Sequence, residues 1–138
     1  MKAGMMAGAI VIALLQSGCV IHRQTQPEVE GRLIDSGGRP VTHARLTLVG
    51  TADKPDETLS DNDGRFAFQP QHEWIFFLPI GPMDWFYHSL LRANANGKVY
   101  EGNLGGGPGG PFALEDKVIK VVCTVPDEPG EMICRYGL

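Results

Sequence analysis

Residues 29–48 read VEGRLIDSGGRPVTHARLTL, and the fold is decided there. Val29, Gly31, Leu33 and Asp35 alternate with Glu30, Arg32 and Ile34, the period of a strand, until Ser36-Gly37-Gly38-Arg39-Pro40 breaks it. Ala44, Leu46 and Leu48 then point one way while Arg45 and Thr47 point the other, as in a half-buried antiparallel sheet. Two strands separated by a turn rich in Gly and Pro leave little room for a helical domain.

The rest of the chain continues the pattern. Thr51 to Asp56 is polar and reads as a loop. Thr58-Leu59-Ser60 and Arg65-Phe66-Ala67-Phe68 flank Asp61-Asn62-Asp63-Gly64, which predicts a hairpin. Trp74 to Leu78 and Trp85 to Leu91 are apolar runs on either side of a turn, Pro79 to Met83, and the second run is compatible with a strand or a helical turn. Alternation from Leu91 to Ala95 leads into Asn96-Gly97, a strong hairpin signal, with Lys98 to Gly102 returning. The glycines of Gly105-Gly106-Gly107-Pro108-Gly109-Gly110-Pro111 can fill no core, so this segment reads as a loop. Val118 to Val125 and Met132 to Tyr136 form a last pair around Pro126-Asp127-Glu128-Pro129-Gly130. The expectation is an all-β Greek-key sandwich, immunoglobulin-like in general plan, of seven to nine short antiparallel strands.

Composition agrees. With 138 residues there is room for one domain, and 18 Gly and 10 Pro favour strands and turns over a helical bundle. The formal charge of -4, which becomes -5 if Lys2 is removed with a leader, excludes the basic field that nucleic-acid binding needs.

The amino-terminal stretch carries its own signal. Lys2 precedes an apolar run from Ala7 to Leu15, and Gln16-Ser17-Gly18 places small residues before Cys19. The segment resembles a bacterial lipoprotein signal peptide, with a helical leader at 1–18 cleaved before an acylated Cys19. It departs from the usual pattern, because Leu15 lies four residues before the cysteine and Gln16 occupies the place three before it. An uncleaved transmembrane helix from Ala3 to Ile21 is the competing reading, weakened by Gln16, Ser17 and the glycines. Val20, with no Asp after the cysteine, resembles lipoproteins sent to the outer membrane, so the expected place is its periplasmic face. Residues 20–27 show no sustained period and end in a proline, so 19–27 read as a tether and 28–138 as the folded domain.

If Cys19 holds a lipid, Cys123 and Cys134 remain as an even pair in an oxidising compartment, and a disulfide between them would add about 2–3 kcal/mol. Two buried free thiols are the alternative. Neither cysteine belongs to a CxxC with a nearby histidine, so zinc is disfavoured.

Residues 29–69 resemble the carboxypeptidase regulatory-like domain family, transthyretin-like sandwiches found beside peptidases, in outer-membrane receptors and as lipoproteins. The matching residues are Gly31-x-Leu33-x-Asp35, Gly38-x-Pro40-Val41-x-x-Ala44-x-Leu46-x-Leu48 and Ser60-Asp61-x-Asp63-Gly64-x-Phe66-x-Phe68. The match covers less than a third of the chain and fades beyond Pro70. It implies a seven-stranded Greek-key sandwich without its own active site, serving as an accessory.

Candidate chemistry is sparse. Asp56, Glu57, Asp61 and Asp63 make only a fragment of a calcium loop. His72-Glu73 starts like a zincin helix, but Phe76 stands where the second histidine belongs. There is no G-x-S-x-G, and no Lys-Ser/Thr follows the glycines. The 5-hydroxyisourate hydrolases share the transthyretin-like architecture and end in Tyr-Arg-Gly-Ser, whereas this chain ends Cys134-Arg135-Tyr136-Gly137-Leu138, with Arg and Tyr in the opposite order and no matching histidine near the first strand. That coincidence is read as chance. No catalytic residue, metal or cofactor is assigned.

The aromatic cluster Trp74, Phe76, Phe77, Trp85, Phe86 and Tyr87 is divided between two expectations, core and binding face. Trp74, Trp85 and Tyr87 are the candidate binding residues, with Trp85 expected to be the most exposed. The functional expectation is a lipid-anchored, non-catalytic sandwich that contacts the membrane through Cys19 and an envelope protein or glycan through its loops. The alternatives are an assembly subunit of an envelope or secretion complex and an unrecognised hydrolase.

Overall fold

The computed structural model describes residues 18–77 and 85–137, together with Gly8. The leader and its helix, apart from Gly8 and Gly18, and the turn at Pro79 to Met83 lie outside the described residues. Eleven strands follow one another: β1 (Cys19–Gln26), β2 (Glu28–Asp35), β3 (Arg45–Gly50), β4 (Asp56–Leu59), β5 (Arg65–Phe68), β6 (Gln71–Phe77), β7 (Trp85–Ala95), β8 (Lys98–Gly109), β9 (Val118–Val125), β10 (Gly130–Glu131) and β11 (Ile133–Tyr136). A five-stranded sheet in the order β10-β8-β7-β3-β4 faces a four-stranded one in the order β11-β9-β2-β5, and β1 pairs with β6 as a separate ribbon. The all-β sandwich is as expected from the sequence. Among the described residues no helix is long and apolar enough to cross a membrane.

The core is the inward half of each alternating strand. Leu46, Leu48, Leu91, Ala93 and Tyr100 of the larger sheet meet Val29, Leu33, Phe66, Phe68, Val121 and Cys123 of the smaller. Gly31 completes this surface in a way its type alone permits. It lies opposite Phe66 across the β2–β5 pair, and a Cβ placed on it would stand 2.2 Å from the ring. The phenyl group covers the bare backbone and fills the volume a side chain would take. Gly31→Ala would push Phe66 off its seat, and we expect a loss of about 1–3 kcal/mol in urea unfolding with an unchanged m-value.

Local turn chemistry accounts for the connections. Asn96 and Gly97 adopt φ of 51° and 77°, the left-handed pair that a tight hairpin between β7 and β8 requires. Asp61 accepts the amides of Asp63 and Arg65, each at 2.8 Å. Those backbone donors, Arg65 first, hold its carboxyl below the ordinary Asp value. The Asp61 carboxylate, part of what is only a fragment of a calcium loop, is thus committed to its own turn.

Several sequence expectations are corrected. Residues 19–26 are not a tether but strand β1, in which Arg23, Gln24, Thr25 and Gln26 are buried. The Asp61–Gly64 turn does not close a hairpin. β4 pairs with β3 in one sheet and β5 with β2 in the other, so the chain changes layers there. The buried Ser60 holds the corner, its hydroxyl donating to the Val41 carbonyl at 2.8 Å and accepting the Ala44 amide at 2.9 Å. Not all pairing is antiparallel, since β2 runs parallel to β9 and β10 to β8. The run from Trp85 is a strand. The glycine-rich segment to Gly109 is also a strand, continuing β8 against Trp85–His88. Glycine is needed for that approach, because a Cβ on Gly106 would stand 2.1 Å from the Tyr87 carbonyl oxygen.

Candidate functional site

The β1–β6 ribbon is the structure's chief departure from a plain sandwich. Pro27 and Pro70 lie at the ends of the β2–β5 ladder, where neither can donate an amide, and beyond them the two segments pair again from Gln26↔Gln71 to Cys19↔Phe77. The ribbon thus prolongs β2 and β5 past the sandwich. Its base is polar and buried. Gln26 donates to the Asp56 carboxylate at 3.0 Å and the Gln69 carbonyl at 2.9 Å, and Gln24 donates to the Gln26 carbonyl at 2.9 Å and accepts the Asp116 amide at 3.2 Å.

Arg23 fixes one face of the ribbon to β7. It is buried, with its guanidinium 4.2 Å from the centre of the Trp85 ring and 5.8 Å from that of Tyr87. It also donates to the Tyr87 hydroxyl at 3.3 Å, and that hydroxyl donates in turn to the Gly110 carbonyl. A planar cation against two rings suits arginine better than lysine.

The opposite face is open. Residues paired directly across an antiparallel ladder share a face, so Val20 with Phe76 and His22 with Trp74 form one patch. Trp74 is 73% exposed, Phe76 65% and Val20 60%. The His22 ring lies 4.7 Å from that of Trp74 and 5.4 Å from that of His72. Cys19 is exposed as a free cysteine at the tip of the same strand.

The candidate residues are therefore separated. Trp74 is on the outer face, Trp85 is half-buried against Arg23, and Tyr87 is buried. Trp85 is not the exposed member of the group, because Arg23 covers its ring. The pairing of Trp74 with His22 was hidden in the sequence because β1 carries too few apolar residues to show a strand's period.

Cys123 and Cys134 stand directly opposite on β9 and β11 and are joined by a disulfide. A crevice of about 300 Å³ opens between Tyr87, His88, Leu104, Lys117 and Tyr136, beside the glycines of β8. His88 and Lys117 are the charged or titratable side chains among its described lining besides the tyrosines, and no carboxylate joins them. A histidine and an acid do meet at His72 and Glu115, 3.9 Å apart, but on open surface, with each side chain 37% exposed. Among the described residues no group of three His, Cys, Asp or Glu is placed to hold a metal ion.

No family model matches the chain, and no curated protein does. Among solved structures the chain is similar to the 5-hydroxyisourate hydrolase of Klebsiella pneumoniae, with a TM-score of 0.45 and 12% identity, over 81% of this chain and 94% of that one. Nothing about chemistry is carried from that enzyme to this chain.

Proposed function

We propose that the protein is a lipid-anchored lipoprotein of the cell envelope whose sandwich is a non-catalytic binding domain of the carboxypeptidase regulatory-like kind. The observation that carries this reading is the position of Cys19. It follows an apolar run with small residues before the thiol, and it sits exposed at the free end of β1. A cysteine there is reachable by an acylating enzyme without opening the fold, and a lipid on it would enter no packed interior. The disulfide supports the same compartment, since such bonds persist where thiols are not kept reduced.

The test is Cys19→Ser in the full chain. The unaltered protein should sediment with membranes and incorporate labelled palmitate, and the variant should do neither and collect in the soluble fraction. A variant that still sediments would remove the lipid from the account.

A second reading, an assembly subunit of an envelope complex, is supported by apolar side chains on edge strands. Leu59 on β4 is 59% exposed and Ile133 on β11 is 61% exposed, and unpaired edges are where a further chain can add. Cross-linking in intact cells separates the two readings, a single recurrent protein partner favouring assembly and a glycan favouring the binding module.

A further inference from the structure

We infer that the outer face of the β1–β6 ribbon is a membrane-contact surface, with Trp74 and Phe76 seated in the lipid headgroup layer beside Cys19. The inference rests on the anchoring reading and adds to it an orientation of the whole domain. The occupant is fixed by where the chain leaves the lipid. Cys19 begins β1, and the open patch starts at the next residue, Val20, opposite Phe76. His22 and its partner Trp74 lie three residues from Cys19, about 10 Å at the rise of a strand. A headgroup layer is about 5–8 Å deep on each side of the hydrocarbon. A ribbon tied to lipid at Cys19 therefore needs only to lean for Trp74 to enter that layer.

The chemistry of the patch fits this occupant. Trp and Phe rings favour the boundary between hydrocarbon and water, where the indole N–H keeps a polar partner. None of the four paired positions, Val20, His22, Trp74 and Phe76, carries a carboxylate to repel an anionic headgroup. At the level of Arg23 the opposite face is taken up by its packing against Trp85 and Tyr87, so there the ribbon presents the side of His22 and Trp74. Because residues 23–26 are buried at its base, the ribbon cannot swivel freely, and contact along it sets the attitude of the sandwich to the bilayer.

The experiment uses the full chain, purified from membranes and incorporated into vesicles of phosphatidylethanolamine and phosphatidylglycerol brominated near the headgroup end of their acyl chains. The chain has two tryptophans, so Trp85→Phe leaves Trp74 as the reporter. If that variant does not fold, the difference between the unaltered chain and Trp74→Phe recovers the same signal. The expected result is co-sedimentation with vesicles, Trp74 emission reduced at least about twofold by the bromines, and protection from aqueous iodide. Co-sedimentation with Trp74 unquenched and open to iodide would overturn the membrane contact while leaving the anchor intact, and would return the face to a protein partner. A chain that does not co-sediment would overturn the anchoring reading and this inference with it.

Discussion

Phe68→Ala should cost about 3–5 kcal/mol, the range for deleting a buried aromatic ring, and lower the melting temperature by about 10–20 °C. Phe68 is 1% exposed and is the largest fully buried side chain described. It lies opposite Val29 on the β2–β5 pair, and its ring meets that of Phe66 edge to face, with centres 6.1 Å apart. It reaches the core from the strand just past the layer change at Ser60, so its removal leaves a void between sheets joined there by one short corner. Neither sheet can slide to close the gap, because β2 is held on its other side by eight paired residues of β9. Urea unfolding followed by far-ultraviolet circular dichroism measures the loss, and Phe68→Leu, which keeps most of the volume, should recover more than half of it. A loss below about 1 kcal/mol would mean that the two sheets do not close over this ring.

How well the fold could be read depended on where each strand's polar groups are satisfied. β2 and β3 bury side chains on one face only, so the alternation through Val29 and Leu33, then Leu46 and Leu48, is visible. The hairpin at Asn96-Gly97 was equally plain, since its left-handed backbone is written in the residue types. β1 was not. Its last four residues are polar and buried, and three of them, Arg23, Gln24 and Gln26, draw partners from Tyr87, Asp116, Asp56 and Gln69, distant in sequence from β1. A hydropathy pattern records transfer from water, not partners that arrive from elsewhere in the chain, so this strand looked like a tether.

The layer change after β4 was hidden for a related reason. Asp61 to Gly64 suits a turn, but the residues of the turn do not say whether the next strand pairs with the last or crosses to the facing sheet. Ser60 decides it, by a hydroxyl shared between Val41 and Ala44. The parallel pairing of β2 with β9 joins segments separated by most of the domain, and no local signal encodes it. For the candidate site, the sequence singled out Trp74, Trp85 and Tyr87 by type and proximity. It could not place Trp74 on one face and the other two against Arg23, because that division follows from the register with β1.

Removing the bridge between Cys123 and Cys134 should cost about 3 kcal/mol, the entropy of closing a loop whose ends are 11 positions apart in sequence. The bridge joins β9, a central strand, to β11, a four-residue edge strand that is otherwise held by its ladder with β9 and by the Tyr136 hydroxyl donating to the Leu104 carbonyl. Cys123 is completely buried, and a Cβ on Gly102 of the facing sheet would stand 2.7 Å from the Cys134 sulfur. The sulfurs therefore pack into the core as well as closing the loop, so Cys123→Ala with Cys134→Ala loses apolar contact along with the constraint. Reduction alone removes the constraint and keeps the atoms. Comparing the two by urea unfolding divides the effect, with the double variant expected to be the less stable, and hydrogen exchange should show protection lost first in β11. For a domain whose total stability lies between about 5 and 15 kcal/mol, the loss would leave a chain made where thiols stay reduced close to unfolding. A reductant that left the urea midpoint of the unaltered protein in place would show that β11 is held by the packing of Met132 and Cys134 over Gly102, and would take from the disulfide its weight in assigning the protein to an oxidising compartment.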